Sequence, residues 1–256
     1  MIDERHLSPN YIVVSPIIAS LQYNESFFGH DVLHFCGGSI ISENWIVTTA
    51  QCATELEKEE LQVRVGSKYY YEGGQIHLVA DILVHPNYSE AHNDFDVGLL
   101  RLASNITFDN QTLPIRLPPP DMEIANEEMI AVVGWGAIKN LGNFSGEIRS
   151  TKVMKIDNDK CRLVYGNFSV TDRMFCTNVD GAGPCMGDSG SPALAKNLIV
   201  GIVSWSHKCA EAEYPSVFVN VPIISGWITN VTGVSSTSRM TYSAGLLILA
   251  ILLGLT

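Results

Sequence analysis

The chain has 256 residues, of which 46% are hydrophobic, and its formal net charge is −11, from 16 Lys and Arg against 27 Asp and Glu. Proteins bind nucleic acid through clustered basic residues, so this balance argues against a nucleic-acid partner, and a solvated acidic surface accounts for it. The length and apolar content are enough to bury a substantial core, either as one domain or as a pair of closely packed barrels.

Short apolar runs separated by turn residues follow one another along most of the chain. Runs rich in Val and Ile and bounded by Gly, Asn, Asp or Pro are typical of β-strands. We expect strands near Ile17–Leu21, Gly38–Ile41, Trp45–Thr48, Leu61–Val65, Gln75–Val79, Val97–Leu102, Met129–Gly134, Leu198–Trp205 and Ser216–Val221. Their number and spacing predict antiparallel barrels or a sandwich.

A short helix is predicted after the last strand, from Pro222 to Val231. Proline suits a first helical turn, and the apolar residues that follow it fall on one helical face. These residues are Ile223, Ile224, Trp227, Ile228 and Val231. We expect Trp227 to lie in the core.

The two ends of the chain give opposite indications about entry into the secretory pathway. Met1–His6 is charged and lacks the apolar run of a signal peptide. Residues 244–256 are apolar but too few for a transmembrane helix, which needs about 20 residues. With small residues at Ser235–Thr237 and a polar spacer over 232–243, this tail predicts a glycosylphosphatidylinositol (GPI) signal cleaved near Ser235, with a hydrophobic tail anchor as the alternative. A GPI signal acts only in the secretory pathway, so we expect the true start of the protein to precede Met1.

Cysteines and glycosylation sequons also predict an extracellular protein. The cysteines are Cys36, Cys52, Cys161, Cys176, Cys185 and Cys209, and spacing alone does not decide their pairing. The chain has no Cys-x-x-Cys motif and no paired histidine motif, so we expect neither a metal nor a cofactor. Asn-x-Ser/Thr sequons occur at Asn24, Asn87, Asn105, Asn110, Asn143, Asn167 and Asn230.

The stretch Cys185-Met186-Gly187-Asp188-Ser189-Gly190-Ser191-Pro192 sets a serine between glycines, directly after an aspartate. This pattern suits a nucleophile on a tight turn, because glycine adopts backbone dihedrals that other residues avoid. The backbone N–H groups of Gly187 and Ser189 would then stabilise a developing oxyanion.

That stretch and two others resemble the chymotrypsin-like (trypsin, or S1) family of serine proteases. The first is similar to the family's Gly-Asp-Ser-Gly-Gly-Pro, except that Ser191 replaces the second glycine. Asn93–Leu100 is similar to the segment that carries the triad aspartate, which implies that role for Asp96. His34–Cys52 is similar to the segment that normally reads Thr-Ala-Ala-His-Cys, but Gln51 stands in the place of the histidine. The chain order of base, acid and nucleophile also matches.

The resemblance covers residues 11–231 and implies an all-β fold of two antiparallel six-stranded Greek-key barrels with the active site between them. It places an N-terminal extension at 1–11 and the peptidase domain at 12–231. Within that domain it places barrel 1 at about 12–116, a proline-rich crossover at about 117–128, barrel 2 at about 129–221 and the terminal helix at about 222–231. It also implies the disulfides Cys36–Cys52, Cys161–Cys176 and Cys185–Cys209.

The missing histidine predicts a loss of proteolysis. Serine is a poor nucleophile unless a base accepts its proton, and a glutamine amide has no site that titrates near neutrality. His85 and His92 are expected to be surface loop residues, and neither stands at the chain position of Gln51. We therefore expect an inactive homologue that acts as a binding partner, decoy or regulator. Its ligands would be proteins or peptides, including true proteases or their inhibitors.

Two alternatives keep an enzymatic role. The first is a weak serine endopeptidase with an uncharged, narrow primary pocket. The second is substrate-assisted catalysis, in which a histidine of the substrate supplies the base.

The resemblance also implies which positions line the primary pocket: Gly183, Ser204, Trp205, Ser206 and Ser216. Trypsin-like members carry aspartate at the position of Gly183, so selection for Arg or Lys is not expected. Many members have glycine where Ser206 and Ser216 stand, and serines there narrow the slot in favour of small or medium apolar groups. His207, beside Ser206, is a further candidate binding residue.

We also expect an inactive conformation of the oxyanion loop, like that of the family's precursors. Active members expose an Ile-Val-Gly-Gly N-terminus, whose ammonium pairs with the aspartate before the nucleophile, but the aligned segment here is Glu4–Leu7. In inactive precursors that aspartate pairs with a histidine instead, next to a serine on the first strand. The matching residues are Asp188, His34 and Ser20, so we expect Asp188 to pair with His34 and to turn the oxyanion loop away. On this basis Gln51→His alone would not restore proteolysis.

Overall fold

The computed structural model describes residues 15–24, 33–138, 142–166, 169–178, 183–209 and 211–235. The strands in this part of the chain form two closed antiparallel barrels of six strands each, as the family resemblance implies. The N-terminal extension, the segment Glu4–Leu7, and the apolar tail with most of its spacer lie outside these residues. No helix within the described ranges is long and apolar enough to cross a membrane.

The two barrels follow each other along the chain. The first contains β1 (Ile18–Tyr23), β2 (His34–Ile40), β3 (Trp45–Thr48), β4 (Leu61–Val65), β5 (Gln75–Val84) and β6 (Gly98–Leu102). The second contains β7 (Met129–Gly134), β8 (Arg149–Ile156), β9 (Met174–Thr177), β10 (Pro192–Ala195), β11 (Leu198–Trp205) and β12 (Ser216–Asn220). Neighbouring strands run in the order β1-β2-β3-β6-β5-β4 and β7-β8-β9-β12-β11-β10, so the barrels share one topology.

Helices are short and lie outside the barrels. A 3-10 turn at Ser15–Ile17 precedes β1, and α1 (Ala50–Ala53) follows β3. Two longer helices belong to the second half of the chain: α2 (Asn158–Tyr165) follows β8, and α3 (Val221–Thr232) follows β12.

Several strands are apolar at consecutive positions because both of their faces are covered. Ile46 and Leu100 lie in the interior of the first barrel, whereas the adjacent Val47 and Leu99 belong to an apolar cluster that contains residues of both barrels. We call this cluster the inter-barrel seam. Burial of apolar surface on its two sides holds the barrels against each other and thereby fixes the cleft between them.

The C-terminal helix closes the seam. It extends one residue beyond each predicted bound, and it ends at Gly233, whose φ of 74° is a left-handed conformation that favours glycine. Ile224 and Ile228 are buried in the seam, with Trp227 partly buried against it. The expectation for Ile223 was wrong: this side chain is exposed, because the helix directs it away from the seam.

The three disulfides that the resemblance implies are confirmed. Cys36–Cys52, Cys161–Cys176 and Cys185–Cys209 are bonded, with Cα–Cα distances of 6.1, 6.3 and 4.8 Å. The first links α1, which carries Gln51, to β2, and the last braces the loop that carries Ser189. Disulfides of this kind fit an extracellular protein.

Candidate active site

The predicted triad acid, Asp96, is buried against the second barrel. Asp96 is 1% exposed and accepts hydrogen bonds from Ser204 Oγ at 2.6 Å, Gln51 N at 3.0 Å and Gln51 Nε2 at 2.9 Å. Burial raises the pKa of Asp96 above its ordinary value, although the donors from Ser204 and Gln51 act in the opposite direction. The carboxylate is thus held in one orientation towards the side chain at position 51.

Gln51 stands on the first turn of α1, where the side chain of Thr49 caps the helix by accepting from Cys52 N. Gln51 Nε2 donates to Asp96 Oδ2 and, at 2.8 Å, to the backbone oxygen of Ser204. Both partners are acceptors only, so the amide nitrogen must face them, and the amide oxygen is left on the other side. The amide therefore donates to the acid, as the family's histidine does, but it has no basic nitrogen that could accept the proton of Ser189.

Ser189 lies on a tight turn that two backbone bonds hold in place. Ser189 O accepts from Gly37 N at 2.7 Å, and Gly190 N donates to Val203 O at 2.8 Å. Gly190 has a φ of 82°, and a Cβ there would lie 2.2 Å from the Gly37 oxygen, so only glycine fits. Ser189 itself is half-buried, and no hydrogen bond joins it to Gln51 among the described residues.

The two N–H groups that the sequence assigns to the oxyanion hole have no acceptor in the described part of the chain. These groups belong to Gly187 and Ser189, whereas Asp188 N donates to Cys185 O at 2.9 Å. Gly187 has a φ of 89°, which turns the backbone between the two donors. This arrangement can receive the oxygen of a polarised carbonyl.

The serine that departs from the family pattern fits because its neighbours are glycines. Ser191 is fully buried, and a Cβ at Gly37 would lie 2.0 Å from its Oγ. A Cβ at Gly134 would lie 3.0 Å from the same atom. The extra hydroxyl therefore occupies space that two missing side chains leave, and the turn at Ser189 is kept.

The expected ion pair between Asp188 and His34 was wrong. Asp188 Oδ1 accepts from Gly136 N at 2.9 Å, and Asp188 Oδ2 accepts from Cys185 N at 3.0 Å. His34 Nε2 instead lies 2.9 Å from the oxygen of Gly187. The third residue of the expected set is in contact as predicted, since Ser20 Oγ lies 2.8 Å from His34 Nδ1.

Burial explains why the ion pair does not form. It lowers the pKa of His34 to about 4 and raises the pKa of Asp188 to about 6. Near neutrality the imidazole is therefore uncharged, and the carboxylate has its donors in the backbone N–H groups of Gly136 and Cys185. The oxyanion loop is not turned away.

The pocket positions lie along β11 and at the start of β12, which are neighbours in the second barrel. The Ser204 hydroxyl donates to Asp96, so this residue also joins the expected pocket positions to the acid. Trp205 and Ser206 are half-buried, Ser216 is buried, and Gly183 lies just after a range that is not described. The Ser216 hydroxyl has no partner in the described residues.

Sequence reasoning missed one residue that contacts the expected pocket positions. The Tyr165 ring on α2 lies 4.8 Å from the Trp205 ring, and its hydroxyl donates to Pro215 O at 2.7 Å. Tyr165 therefore packs against Trp205 and is bonded to the backbone next to Ser216. Its position at the end of a short helix gave no signal in the sequence.

The comparison with known families agrees with this geometry. The model of the family described as Trypsin matches residues 7–228, which span both barrels and every site residue named above. The chain belongs to the trypsin family. It is similar to trypsin 5G1 of Aedes aegypti, with 36% identity over 219 residues that cover 84% of this chain and 82% of that protein.

Further insect relatives are similar over much the same range. A trypsin of Simulium vittatum is 39% identical over 210 residues, 81% of this chain and 84% of that protein. Hypodermin-A of Hypoderma lineatum is 37% identical over 205 residues, 78% of each chain. The family match thus covers all twelve strands that the structure describes.

Around this trypsin-family site the acid loop is tied to the second barrel, a feature that the sequence did not reveal. Asp94 Oδ2 lies 2.5 Å from Arg173 Nη2, and Asp94 Oδ1 accepts from Thr171 Oγ1 at 2.7 Å. The Phe95 ring stacks on His85 at 4.5 Å and has the Arg173 guanidinium 5.1 Å from its centroid. These contacts hold the backbone on either side of the acid.

The remaining histidines do not replace the missing base. His85 was expected on the surface, but it is buried, and its Nδ1 accepts from Asn87 N at 3.2 Å. His92 is exposed, as expected. His207 is exposed too, with its ring 5.0 Å from that of Tyr214. None of them contacts Ser189 in the described part of the chain.

One of the sequons conflicts with its expected modification. Asn24 is 8% exposed, and its Nδ2, the atom that would carry a glycan, donates to Glu59 O at 2.9 Å. The other sequon asparagines that the structure describes are exposed: Asn87, Asn105, Asn110, Asn143 and Asn230. Asn167 lies outside the described residues.

Proposed function

We propose that this member of the trypsin family binds peptide segments of other proteins without cutting them, as a binding partner, decoy or regulator. The observation that carries the proposal is the Gln51 amide, whose N–H bonds are directed at Asp96 and at the Ser204 carbonyl. No basic nitrogen at this position can take the proton of Ser189. In subtilisin, loss of the triad histidine alone lowers turnover by about 10⁶.

The cleft keeps the features that would hold a peptide. The N–H groups of Gly187 and Ser189 have no acceptor among the described residues, so a peptide carbonyl can occupy that position. Gly183 brings no charge to the pocket, and the serines at 206 and 216 narrow it. These features support ligands with a small or medium apolar side chain, presented by true proteases, by their inhibitors or by other proteins and peptides.

A weak or substrate-assisted endopeptidase is the second candidate. One observation favours it: Ser189 is only half-buried and lies beside an open oxyanion site. A histidine that a substrate brings into the cleft would supply the missing base.

The test compares the full chain, secreted behind a working signal peptide, with its Ser189→Ala variant. We expect neither protein to cut a diverse peptide library and both to bind the same peptides with the same Kd. Cleavage by the wild type that Ser189→Ala abolishes would overturn the proposal. Cleavage restricted to peptides with histidine near the cut would establish the substrate-assisted alternative. Affinity capture with the wild-type protein then identifies the ligand.

We also propose that the protein is secreted, glycosylated and held at the cell surface by a C-terminal lipid anchor or hydrophobic tail. The disulfides and the exposed sequons support the secretory pathway. The anchor is supported by the sequence of the tail, 244–256, and its spacer.

A further inference from the structure

A chain of hydrogen bonds runs from buried polar side chains on the outer face of the first barrel to the oxyanion loop. Gln62 Nε2 donates to Gln22 Oε1 at 3.2 Å, and Gln22 Nε2 donates to Ser20 Oγ at 2.9 Å. Ser20 Oγ lies 2.8 Å from His34 Nδ1, and His34 Nε2 lies 2.9 Å from Gly187 O. All four side chains are buried, so water does not compete for these bonds. We call this set the barrel hydrogen-bond chain.

Each bond of the barrel hydrogen-bond chain runs from donor to acceptor towards the oxyanion loop, and Gln22 Nε2 also donates to Tyr70 O at 2.5 Å. Gly187 O can only accept, so His34 donates from Nε2, and its Nδ1 must accept from the Ser20 hydroxyl. This assignment requires a neutral imidazole, and burial lowers the pKa of His34 to about 4. Bonds aligned in one direction polarise one another, so together they hold the Gly187 carbonyl in one orientation.

The other side of the oxyanion loop is held by backbone donors. The two carboxylate oxygens of Asp188 accept from Gly136 N and Cys185 N. A Cβ at Gly136 would lie 2.2 Å from Asp188 Oδ2, so the carboxylate lies directly against the backbone there. The loop is therefore fixed from both sides in the conformation that leaves the Gly187 and Ser189 N–H groups without an acceptor among the described residues.

We propose that the barrel hydrogen-bond chain keeps the oxyanion site assembled in the native protein, so that Gln51 is the single block to hydrolysis. This inference rests on the proposed function, in which the cleft binds peptides but does not cut them. The acid is also in place, since Asp96 Oδ2 already accepts from the side chain at position 51 and from Ser204. The imidazole introduced by Gln51→His takes over the bond to Asp96 with Nδ1 and presents Nε2 to Ser189.

The reaction that this substitution allows has two balanced steps. Ser189 Oγ forms a bond to the peptide carbonyl carbon and passes its proton to the imidazole, which gives that proton to the leaving amine as the C–N bond breaks. Water then attacks the resulting ester, and its proton returns through the imidazole to Ser189 Oγ, releasing the carboxylic acid. The Gly187 and Ser189 N–H groups stabilise the oxyanion in both steps.

The first experiment compares the full-length chain carrying Gln51→His, with its native N-terminal sequence, with the same chain carrying Ser189→Ala in addition. The substrates are peptide esters and amides with a small apolar residue before the scissile bond. We expect turnover by Gln51→His that Ser189→Ala abolishes. A third protein combines Gln51→His with an exposed Ile-Val-Gly-Gly N-terminus at the segment aligned with Glu4–Leu7.

The outcomes separate this inference from the proposed function. Turnover by the third protein alone would overturn the inference, because the oxyanion site would then need the new ammonium. Absence of turnover from every variant that still binds the peptides would overturn it as well. Hydrolysis by the wild-type chain would instead overturn the proposed function, whatever Gln51→His does.

The second experiment tests the positioning role of Ser20. In the Gln51→His protein, Ser20→Ala breaks the barrel hydrogen-bond chain, and we expect kcat to fall by about 10-fold to 100-fold with little change in KM. Affinity for a peptide boronic acid, which forms a tetrahedral adduct, should fall in parallel with kcat, while affinity for the matched peptide amide should not.

Ser39→Ala is the matched control. Ser39 is a fully buried serine of β2 whose hydroxyl has no partner in the described residues. Loss of the Ser39 hydroxyl therefore changes packing alone. It should leave unchanged the ratio between the affinity for the peptide boronic acid and the affinity for the peptide amide. Equal effects of Ser20→Ala and Ser39→Ala on kcat and on that ratio would overturn the positioning role.

Discussion

Arg173 of the second barrel and Asp94 of the first form an ion pair, with 2.5 Å between Nη2 and Oδ2, two residues away from the triad acid. Arg173 Nε donates to the other carboxylate oxygen at 3.1 Å, so the contact is bidentate. Burial raises the pKa of Asp94, but the donors from Arg173 and Thr171 outweigh it and hold that pKa below its ordinary value. The pair thus contributes to the position of the acid loop as well as to the barrel interface.

We expect Arg173→Leu to lower the free energy of unfolding by about 1–3 kcal/mol, because it leaves a largely buried carboxylate without its cation. Urea unfolding measures the change. Arg101→Leu is the control, since its partner Asp81 and Arg101 itself are each about half exposed, and such pairs contribute about 1 kcal/mol or less. Equal losses in the two variants would contradict a special role for the Arg173–Asp94 pair.

The pH dependence of stability should show opposite contributions from His34 and Asp188. The folded-state pKa of His34 is about 4, below its ordinary value, so unfolding takes up a proton and stability rises as pH increases from about 4 to 6.5. The folded-state pKa of Asp188 is about 6, above its ordinary value, so unfolding releases a proton and stability falls as pH increases from about 4 to 6.

Variants at these two positions separate the contributions. Between about pH 4 and pH 6.5, the stability of Asp188→Asn relative to the wild type should increase with pH, and that of His34→Phe should decrease with pH. Denaturant titrations at both ends of this range provide the comparison. If both differences had the same sign, at least one of the two groups would not be buried with the perturbed pKa described here.

Disulfides should matter far more to stability than the nucleophile does. Replacing both Cys161 and Cys176 by alanine opens a loop with a sequence separation of 15 and should lower stability by about 2–4 kcal/mol. Ser189→Ala should change the melting temperature little, because Ser189 is half-buried and its side chain makes no hydrogen bond among the described residues. Calorimetry measures the melting temperatures of the two variants. A comparable drop in the melting temperature of Ser189→Ala would mean that the hydroxyl is part of the packing.

Much of the fold could be predicted from the sequence because its signals are local. Apolar runs placed nine of the twelve strands that the structure describes but missed β8, β9 and β10. The resemblance of three short motifs to the trypsin family is what assigned Ser189, Asp96 and Gln51 to one site. The contacts that the sequence could not give join residues far apart in the chain. The stacking of His85 on Phe95 depends on how two loops fold back on each other.

The partner of Asp188 was missed for an energetic reason. A histidine and an aspartate that lie close together suggest an ion pair, but forming one inside a protein requires both groups to give up water. Here His34 stays neutral, and backbone donors satisfy the carboxylate. Whether two such groups form an ion pair or bind backbone groups depends on how deeply they are buried. The sequence does not reveal this burial for a loop.

Glycan occupancy should follow the exposure of the attachment atom. Asn24→Gln should leave the electrophoretic mobility of the secreted protein unchanged, because Asn24 is buried and its Nδ2 is bonded to Glu59 O. Asn143→Gln should increase the mobility by the loss of one glycan, since Asn143 is exposed. Peptide mass spectrometry after enzymatic deglycosylation identifies the occupied sites, and a glycan found on Asn24 would mean that the chain leaves this conformation around that residue.

The C-terminal tail should act as a cleaved GPI signal. Its apolar run at 244–256 follows a polar spacer and small residues near Ser235, and it is shorter than the roughly 20 residues of a membrane-spanning helix. When the protein is expressed behind a working signal peptide, phosphatidylinositol-specific phospholipase C should release it from intact cells. A variant with a stop codon after Ser235 should appear directly in the medium. If the full-length protein stays on the membrane after complete digestion while a known GPI-anchored control is released, the tail is a hydrophobic anchor and the GPI interpretation is wrong.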